Sequence, residues 1–479
     1  MINVTRLQRD LGAIVGEANA LTGDAVPARH TQDLWGSDLV GHAALVVRPR
    51  TATELAEVLK HCNGIGQPVV VQGGMTGLVS GGVPNEDEVV VSTELLSRIS
   101  AVDPAGRTVT AGAGATLADV QDAAAEHGLL LPIDLASKGS ATIGGCVATN
   151  AGGVNVVGFG MTRQHVRSLE VALADGRLLT LSTSLVKDNA GIDLKQLFIG
   201  CEGILGVVTS ATLGLQPSAI TRTGAFCAVS DVDAALRLLH TLQRRLPGAV
   251  TAFEVVWDDA YRTLEPTGVR LPLPFGHPLY VLVECRGSDP DGDALRFASV
   301  MEEVQDDVLA AAVAANATEL RAFWAARERI PAEILRMQPL FGFDVSVPAG
   351  ELAKCLREMR FELEKSWPEV KLLVFGHLGD DNVHIAVITG ETTRDRKPEV
   401  EHIVYRVVTA SGGSISAEHG VGFEKRSYLD YTRSAGEIAL MAQLKRTFDP
   451  NGILNRGRMI PWDGRVSCAT GRGRQGGTD

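Results

Sequence analysis

Glycine gathers in three short clusters along this chain, which has 52 glycines among 479 residues. The first cluster, residues 72–82, directly follows the apolar run PVVV, while the second spans residues 132–153 and the third residues 200–208. Where successive residues lack a Cβ, backbone N–H groups can point to one side of a loop and hold a pyrophosphate. The first cluster is therefore predicted to be an anion-binding loop rather than a flexible hairpin. Because no GxGxxG opens a helix there, a Rossmann dinucleotide site is disfavoured.

The apolar pattern alternates between helical and strand periods over most of the chain. Helices are predicted over residues 51–63 and 116–127, each next to a short strand. From residue 218 the pattern predicts the order strand, helix, strand, strand, helix, strand, which suits a split, ferredoxin-like sheet with helices on one face. A chain of 479 residues exceeds what one hydrophobic core usually serves, so two or three lobes are expected. The predicted fold class is α+β.

Four segments follow from these patterns. Residues 1–217, with a core from about residue 38, form the first domain, which closes at Pro217. Residues 218–425 form the second domain and residues 426–462 a C-terminal helical segment. Residues 463–479 are Gly- and Arg-rich without periodicity, and a disordered tail is predicted there.

Charge and cysteine usage limit the partners of this chain. The net charge is −12 and the pI about 5.5, so no basic surface is expected to attract nucleic acid. The seven cysteines form no CxxC pair, which is typical of reduced thiols in a cytoplasmic protein. Neither a signal peptide nor a transmembrane segment is predicted, because no long uninterrupted apolar run occurs. Association with a membrane surface and a homodimeric state stay open.

Histidines and a carboxylate lie beside apolar runs of the second domain. His377 and His384 are the two ends of HLGDDNVH, and a turn of that length can bring both imidazoles to the same end of a hairpin. Glu418 and His419 lie in the Gly-rich stretch SGGSISAEHGVG. Two imidazoles and one carboxylate with open positions suit Zn²⁺, Mn²⁺ or Fe²⁺ on ligand type. The alternative is that these histidines only donate hydrogen bonds in turns.

Several phrases of the sequence together resemble one known family. PVVVQGGMTGLVSGG, PIDLASKGSATIGGCVATNAGG, SLEVALADG and DLKQLFIGCEGILGVVT are similar, in that order, to the FAD-binding domain of the vanillyl-alcohol-oxidase type. The likeness continues through HLGDDNVH, SAEHGVG and FDPNGILNRG and covers roughly residues 38–460. It points to the branch of D-lactate, glycolate and D-2-hydroxyglutarate dehydrogenases. The implied fold is a two-lobed FAD-binding domain, a substrate domain and a C-terminal segment that returns to the flavin.

The resemblance implies a set of FAD contacts. The residues implied for the pyrophosphate are Gly73, Gly74, Thr76, Gly77 and Leu78. Those implied for the rest of FAD are Ser137, Gly144, Gly145, Thr149, Gly152, Glu202, Gly203, Gly206, Val208 and Asn455. Relatives with covalent flavin often have His in the pyrophosphate loop where this chain has Met75, so the FAD is expected to be non-covalent.

The resemblance also implies the metal ligands and the reaction. His377, His384 and Glu418 are the implied ligands, with Zn²⁺ the expected ion, and His419 is the implied base or substrate-orienting residue. The expected reaction oxidises a small D-2-hydroxy acid to the 2-oxo acid by hydride transfer to flavin N5, while the metal orients the substrate.

An arginine is implied as the clamp for the substrate carboxylate. Arg327, in the phrase FWAARERIP, is the candidate because a guanidinium binds a carboxylate in a bidentate fork. Arg329 and Arg336 are the competing candidates.

The chain departs from dicarboxylate-oxidising relatives at four positions. Pro331 and Gly342 stand where those relatives have Thr and often Lys, Ala386 replaces a common Asn, and Gly158 replaces an Arg. Loss of a cation and a hydroxyl disfavours a second substrate carboxylate, because a buried unpaired charge is costly. A monocarboxylate with a small or apolar side chain is therefore the expected substrate.

Three other functions fit the same resemblance. An oxidase would pass electrons to O₂, an ether-lipid synthase would transfer an alkyl group, and a flavin subunit of a larger complex would leave the chemistry to its partner. For a dehydrogenase, the electron acceptor is expected to be an electron-transfer flavoprotein or a quinone.

Overall fold

The computed structural model describes residues 4–33, 40–337, 339–391 and 393–462, so the predicted tail lies outside the described residues. The helices in chain order are α1 (Val4–Val15), α2 (Ala52–Ile65), α3 (Leu117–Ala125), α4 (Ile143–Thr149), α5 (Val156–Phe159), α6 (Thr162–His165), α7 (Val232–Arg245), α8 (Asp258–Tyr261), α9 (Asp293–Glu303), α10 (Ala317–Ile334), α11 (Ala349–Glu364), α12 (Lys397–Ala410) and α13 (Ala435–Phe448). The strands are β1 (Ala20–Thr22), β2 (Leu45–Val47), β3 (Val69–Gln72), β4 (Val89–Ser92), β5 (Thr108–Gly112), β6 (Leu129–Leu130), β7 (Val166–Ala172), β8 (Leu178–Leu181), β9 (Val207–Gly214), β10 (Gln216–Pro217), β11 (Thr221–Val229), β12 (Val250–Trp257), β13 (Leu279–Gly287), β14 (Ala310–Val313), β15 (Phe341–Ser346), β16 (Lys371–His377) and β17 (Asn382–Ile388). None of the described helices is both long and apolar enough to span a bilayer.

Two four-stranded sheets lie in the first half of the chain. The first has the order β1-β2-β4-β3, in which β2, β4 and β3 run parallel, and it packs against α1 and α2. The second, β5-β9-β7-β8, is antiparallel throughout. Helices α2 and α3 begin where the sequence predicts, because the Thr51 and Thr116 side chains accept N–H groups of the first turn. The glycine clusters lie between the strands of these two lobes.

A seven-stranded antiparallel sheet forms the second domain, in the order β14-β11-β13-β12-β16-β17-β15. The core on one face includes residues of α7, α9, α11 and α12. The other face packs against α10, through Phe323, Ala326 and Ile330. The prediction of helices on one face was therefore wrong. Helix α9 is the second helix that the pattern predicts for this domain, and it begins two residues after Asp291. The later residues Ala310–Val313 form the edge strand β14 because they pair with β11.

The C-terminal segment packs on the first sheet. Helix α13 begins at a capping box formed by Ser434 and Glu437, as its periodicity predicts. After it, the Val69 N–H donates to the carbonyl of Ile453, and the Asn455 N–H donates to the carbonyl of Val69. The last described residues thus run alongside β3, immediately before the first glycine cluster.

Candidate active site

The first two glycine clusters touch each other. A Cβ on Gly73 would fall 2.5 Å from Thr142 Oγ1, and a Cβ on Gly74 would overlap the carbonyl oxygen of Ser140. A Cβ on Gly77, in contrast, would meet no atom within 4 Å. Residues 73–74 are therefore needed for close packing of two loops, while the loop beyond them is open on one side.

The open part of this loop has unpaired backbone donors. In the described part of the chain, the N–H groups of residues 74–79 meet no hydrogen-bond acceptor. The base of the loop is closed by Gln72, whose Nε2 donates to the carbonyl of Gly82 at 2.8 Å. Successive backbone N–H groups without an acceptor are available to bind a phosphate, so this loop fits a pyrophosphate.

Several other residues predicted to contact FAD have packing roles in the first half of the chain. The Gly144 N–H donates to the carbonyl of Ala113, and the Thr149 hydroxyl donates to the carbonyl of Gly145. A Cβ on Gly206 would fall 2.8 Å from Val171 Cγ1. Val208 belongs to the same buried core, and the carbonyl of Ser137 closes the turn that leads to Ala141.

Glu202 connects the third glycine cluster to the stretch that holds Glu418. Its carboxylate accepts the N–H groups of Val421 at 2.7 Å and Gly422 at 2.8 Å. Its carbonyl accepts the Asn455 amide at 2.6 Å, and a Cβ on the adjacent Gly203 would fall 2.8 Å from that amide nitrogen. Burial raises the pKa of Glu202, and the two N–H groups oppose that shift. The Glu202 side chain therefore fixes the 418–422 loop.

Glu418 lies at the centre of three histidines. Its Oε1 is 3.8 Å from His377 Nε2, 3.6 Å from His384 Nε2 and 3.7 Å from His419 Nε2. The Nε2 atoms of His377 and His384 are 3.4 Å apart. Ligand atoms around a tetrahedral Zn²⁺, with bonds of about 2.1 Å, lie about 3.4 Å apart. The three residues predicted as metal ligands therefore have the spacing that one such ion requires.

The hairpin of β16 and β17 places two of these side chains. His377 ends β16, and His384 lies on β17 directly opposite Phe375. The imidazoles meet nearly edge to face, with ring centroids 5.2 Å apart. The sequence prediction that both imidazoles lie at one end of a hairpin is confirmed.

Asp344, which the sequence analysis did not identify, holds the loop of Glu418 against β15. Its Oδ2 accepts the N–H groups of Ala417, Glu418 and His419 at 3.1, 3.0 and 2.9 Å. Its Oδ1 lies 3.7 Å from His384 Nδ1. Asp344, His384, Glu418 and His419 also lie close enough to share an ion. Because Asp344 faces the Nδ1 edge of His384, it supports the ring from behind rather than completing the Nε2 set.

Glu254, also missed from the sequence, lies behind His377. Its Oε1 is 2.6 Å from His377 Nδ1. Its Oε2 accepts a hydrogen bond from Arg327 Nε at 3.1 Å and lies 2.8 Å from Arg327 Nη2 in the same ion pair. Both side chains of this ion pair are buried. Glu254 and Asp344 are each the one acid within an apolar strand, TAFEVVW or FGFDVS. Because a buried charge needs a partner, this pattern could have identified both residues from the sequence.

Of the three candidate arginines, the structure brings only Arg327 to the cluster. Its guanidinium lies 4.9 Å from the centre of the Phe375 ring, which itself lies beside His384. Arg329 and Arg336 both pair with Glu333, and their side chains are 45% and 68% exposed. These two arginines therefore lie on the outer side of α10.

The surroundings shift the pKa values of His377 and His384 in opposite directions. Burial alone would lower the pKa of His377, but the charge and hydrogen bond of Glu254 raise it well above its usual value. Burial and the charge of His377 lower the pKa of His384 to about 4. Although burial opposes it, His377 also lowers the pKa of Glu418. Without a metal, His377 is therefore protonated near neutral pH, while His384 is neutral.

The 149–153 turn contacts the same cluster from the first half of the chain. The Gly153 N–H donates to Glu418 Oε2 at 3.0 Å, and a Cβ on Gly152 would fall 3.2 Å from that oxygen. Through this contact Glu418 joins the glycine-rich turns to the histidines of the seven-stranded sheet.

The positions where the chain departs from dicarboxylate-oxidising relatives have distinct surroundings. Gly342 lies opposite Ala386 across β15 and β17, two residues from the Asp344 and His384 pair. Ala386 and Phe375 belong to one apolar cluster, so the sheet surface next to His384 is small and apolar. A Cβ on Gly158 would fall 2.9 Å from Thr251 Cα, which leaves no room for an arginine there.

Comparison with known families agrees with this architecture. Residues 220–459 match the family described as "FAD linked oxidases, C-terminal domain", and residues 43–182 match "FAD binding domain". The chain belongs to the FAD-linked oxidase family. The family and the α+β fold class predicted from the sequence are confirmed.

Curated members of this family are similar over most of their length. The mitochondrial D-2-hydroxyglutarate dehydrogenase of Bos taurus is 36% identical over 89% of this chain and 78% of its own length. The D-2-hydroxyglutarate dehydrogenase of Stutzerimonas stutzeri is 33% identical over 94% of this chain and 99% of its own length.

Solved structures share the fold at low identity. p-Cresol methylhydroxylase with substrate bound superimposes with a TM-score of 0.76 at 15% identity, over 95% of this chain and 97% of its own. A 4-ethylphenol oxidase from Gulosibacter chungangensis gives 0.73 at 16% identity, over 96% and 97%. At such identities the likeness concerns the fold alone.

Proposed function

We propose that this chain is an FAD-dependent dehydrogenase that oxidises a small D-2-hydroxy acid to the 2-oxo acid. The observation that carries the proposal is the position of Glu418 Oε1, within 3.8 Å of three imidazole Nε2 atoms and bonded through Oε2 to the glycine-rich turn. The names of the curated relatives support the same reaction class.

FAD and a divalent cation both fit the residues present. The unpaired N–H groups of residues 74–79 suit the pyrophosphate, and Met75 offers no nucleophile for a covalent link. His377, His384 and Glu418 would hold the cation, with Zn²⁺ preferred for its nitrogen ligands and Mn²⁺ or Fe²⁺ as alternatives. When bound, FAD supplies at N5 the acceptor for the hydride of the substrate Cα, and the cation supplies positive charge beside the substrate hydroxyl.

The protein side chains position the substrate and move its proton. His419 is partly exposed, stacks on His384 with centroids 5.6 Å apart, and is the proposed acceptor of the hydroxyl proton. Arg327 is the proposed binder of the substrate carboxylate. Glu254 already uses the Nε and Nη2 atoms of Arg327, so the substrate would meet the Nη1 side of the guanidinium rather than the Nε–Nη2 fork.

The apolar surface beside His384 supports a monocarboxylate substrate. Gly342, Ala386 and Phe375 provide neither a hydrogen-bond donor nor a charge. Arg327 and Lys425, the cations that contact the buried carboxylates of the cluster, are already paired with Glu254 and Asp344. A second substrate carboxylate would therefore be buried without a cation of its own, which is costly.

Reduction of the bound FAD by a panel of 2-hydroxy acids tests the proposal. The D and L forms of lactate, longer apolar 2-hydroxy acids and 2-hydroxyglutarate are added without oxygen, with and without a chelator, and flavin absorbance is followed. We expect bleaching by D-monocarboxylates, slower bleaching by D-2-hydroxyglutarate, and loss of both after metal removal. Turnover of D-2-hydroxyglutarate at least equal to that of the monocarboxylates would refute the substrate preference.

Two variants test the residues. Glu418→Ala and His419→Ala are expected to retain FAD but not to be bleached, while His240→Ala, on the exposed side of α7, behaves as the parent protein. Undiminished reduction in both site variants would remove the proposed site. Peroxide formed in air at the rate of substrate oxidation would instead favour an oxidase. Electron-transfer flavoprotein and quinone stay the predicted acceptors, to be compared in the same assay.

A further inference from the structure

Glu254 is shared between two groups with different proposed roles. It lies in the middle of β12 and is 1% exposed. One oxygen is hydrogen-bonded to the imidazole of His377 and the other binds the guanidinium of Arg327. The carboxylate therefore has no free edge, and neither contact can change without affecting the other.

The contact with His377 fixes which ring nitrogen faces the cluster. A carboxylate accepts from Nδ1–H, so it keeps Nε2 as the ring nitrogen directed at Glu418 and His384. A hydrogen-bonded carboxylate behind a ligating imidazole raises the basicity of the ligand nitrogen, and its loss typically reduces metal affinity about 10–100-fold.

The contact with Arg327 fixes the guanidinium plane. Glu254 binds the Nε and Nη2 atoms, and the ring of Phe375 lies 4.9 Å from the guanidinium carbon. These two contacts leave the Nη1 side as the part of the side chain that can reach a further anion. Because the pair is buried, the direction of that edge is set by Glu254 rather than by solvent.

We propose that Glu254 is a positioning residue that couples cation binding at His377 to binding of the substrate carboxylate at Arg327. The inference rests on the proposed function, because it assigns roles to both of its partners. A glutamine has no negative charge and a single acceptor oxygen, so it loses the contact to one of His377 and Arg327 and makes only a weaker, uncharged contact to the other. One neutral substitution should therefore weaken two separable events.

The test compares Glu254→Gln with Glu284→Gln. Glu284 is a matched control because it is also 1% exposed, lies on the neighbouring strand β13, and binds Arg222, Arg286 and Trp324 of α10. Since Trp324 is on the same helix as Arg327, a general disturbance of α10 would appear in both variants. Both should retain FAD and the circular dichroism of the parent.

Two measurements separate the two events. Zn²⁺ retention by each protein is measured against graded chelator in the absence of substrate, and KM and kcat are measured at saturating Zn²⁺ for the acid that bleaches the parent. In Glu254→Gln we expect Zn²⁺ affinity to fall at least tenfold and KM to rise about tenfold, with a smaller change in kcat. In an Arg327→Met background, Glu254→Gln should still lower Zn²⁺ affinity but raise KM no further.

The outcomes distinguish this inference from the proposed function. If no 2-hydroxy acid bleaches the parent, the proposed function fails. If the parent is bleached and Glu254→Gln matches Glu284→Gln in both Zn²⁺ retention and KM, or changes only one of them, the coupling is refuted. Glu254→Asp provides a second variant should the glutamine protein not fold. It retains the charge but is one methylene shorter, so it cannot reach both partners in their present positions. Zn²⁺ affinity and KM should both change in this variant as well, and a change in only one of them would again refute the coupling.

Discussion

Replacing Arg458 with methionine tests how the C-terminal segment holds the first glycine cluster. The Arg458 side chain is fully buried and binds both oxygens of Glu88, at 2.6 and 2.8 Å. It also donates to the carbonyls of Gly81 and Val83, each at 2.6 Å. Methionine has a similar length but no donor, so Glu88 and two carbonyls at the end of the loop would lose their partner.

The expected loss in the free energy of unfolding is about 4 kcal/mol. Removing one partner of a buried ion pair typically costs about 3–5 kcal/mol, since the remaining charge has no compensation. The Asn85 N–H, which donates to Glu88 at 2.8 Å, still helps that carboxylate. Adding Glu88→Gln to Arg458→Met removes the unpaired charge and should recover about half of the loss. FAD affinity should fall along with stability, because the loop ends at Gly82.

Urea unfolding, followed by flavin and tryptophan fluorescence, measures the stability change, and titration of the apoprotein with FAD measures the affinity. Arg177→Met serves as a control, because Arg177 pairs with Asp175 on the surface with a side chain that is 67% exposed. That variant should lie within about 0.5 kcal/mol of the parent. A loss below about 1 kcal/mol in Arg458→Met, or no recovery in the double variant, would refute this account of the buried pair.

Three further predictions follow from the same structure. Gly74→Ala should purify without FAD, because the added Cβ would overlap the carbonyl of Ser140. The control Gly64→Ala in α2 should retain the yellow colour of bound FAD, because a Cβ there meets no atom within 4 Å. In the metal-free protein the pKa of His377 is raised, whereas a cation binds the neutral imidazole, so Zn²⁺ binding near neutral pH should release a proton and weaken as the pH falls. Calorimetry in buffers of different ionisation enthalpy measures the released proton. A heat of binding that does not depend on the buffer would contradict this prediction. Burial raises the pKa of the six described thiols, so in a Cys468→Ser background the native protein should not react rapidly with Ellman's reagent. All six thiols should react in urea, and a fast thiol in the native form of this variant would count against the prediction.

Features set by neighbours in sequence were predicted well. Helices α2, α3 and α13 begin at Thr51, Thr116 and Ser434 because a local side-chain cap precedes an apolar period, and such signals need no tertiary contact. The hairpin that joins His377 and His384 depends only on a short turn between two apolar strands. The composition of the glycine clusters likewise needs no tertiary contact to be read, and the anion-binding loop that it indicates stays a prediction.

Features set by distant parts of the chain were missed. Glu254 and Asp344 appear in the sequence as single acids within apolar strands, and their partners lie 123 residues away at His377 and 75 residues away at His419. The sequence also indicated no partner for the carboxylate of Glu202, which accepts a backbone N–H 219 residues away, at Val421. The order of the strands, and the face of the seven-stranded sheet on which α10 packs, depend on contacts between residues far apart in sequence. The periodicity of apolar residues does not contain that information.

The contact between β3 and the C-terminal segment has a consequence for biosynthesis. The Val71 N–H donates to the side chain of Asn455, 384 positions later in the chain. A ribosome therefore completes this contact only after Asn455 has been synthesised, when all the described strands, β1 to β17, already precede it in the chain. Closure of such a long loop is slow compared with local folding. Loading of the cofactor should accordingly follow synthesis of the segment around Asn455, and a nascent chain stalled before residue 449 should remain colourless in the presence of added FAD.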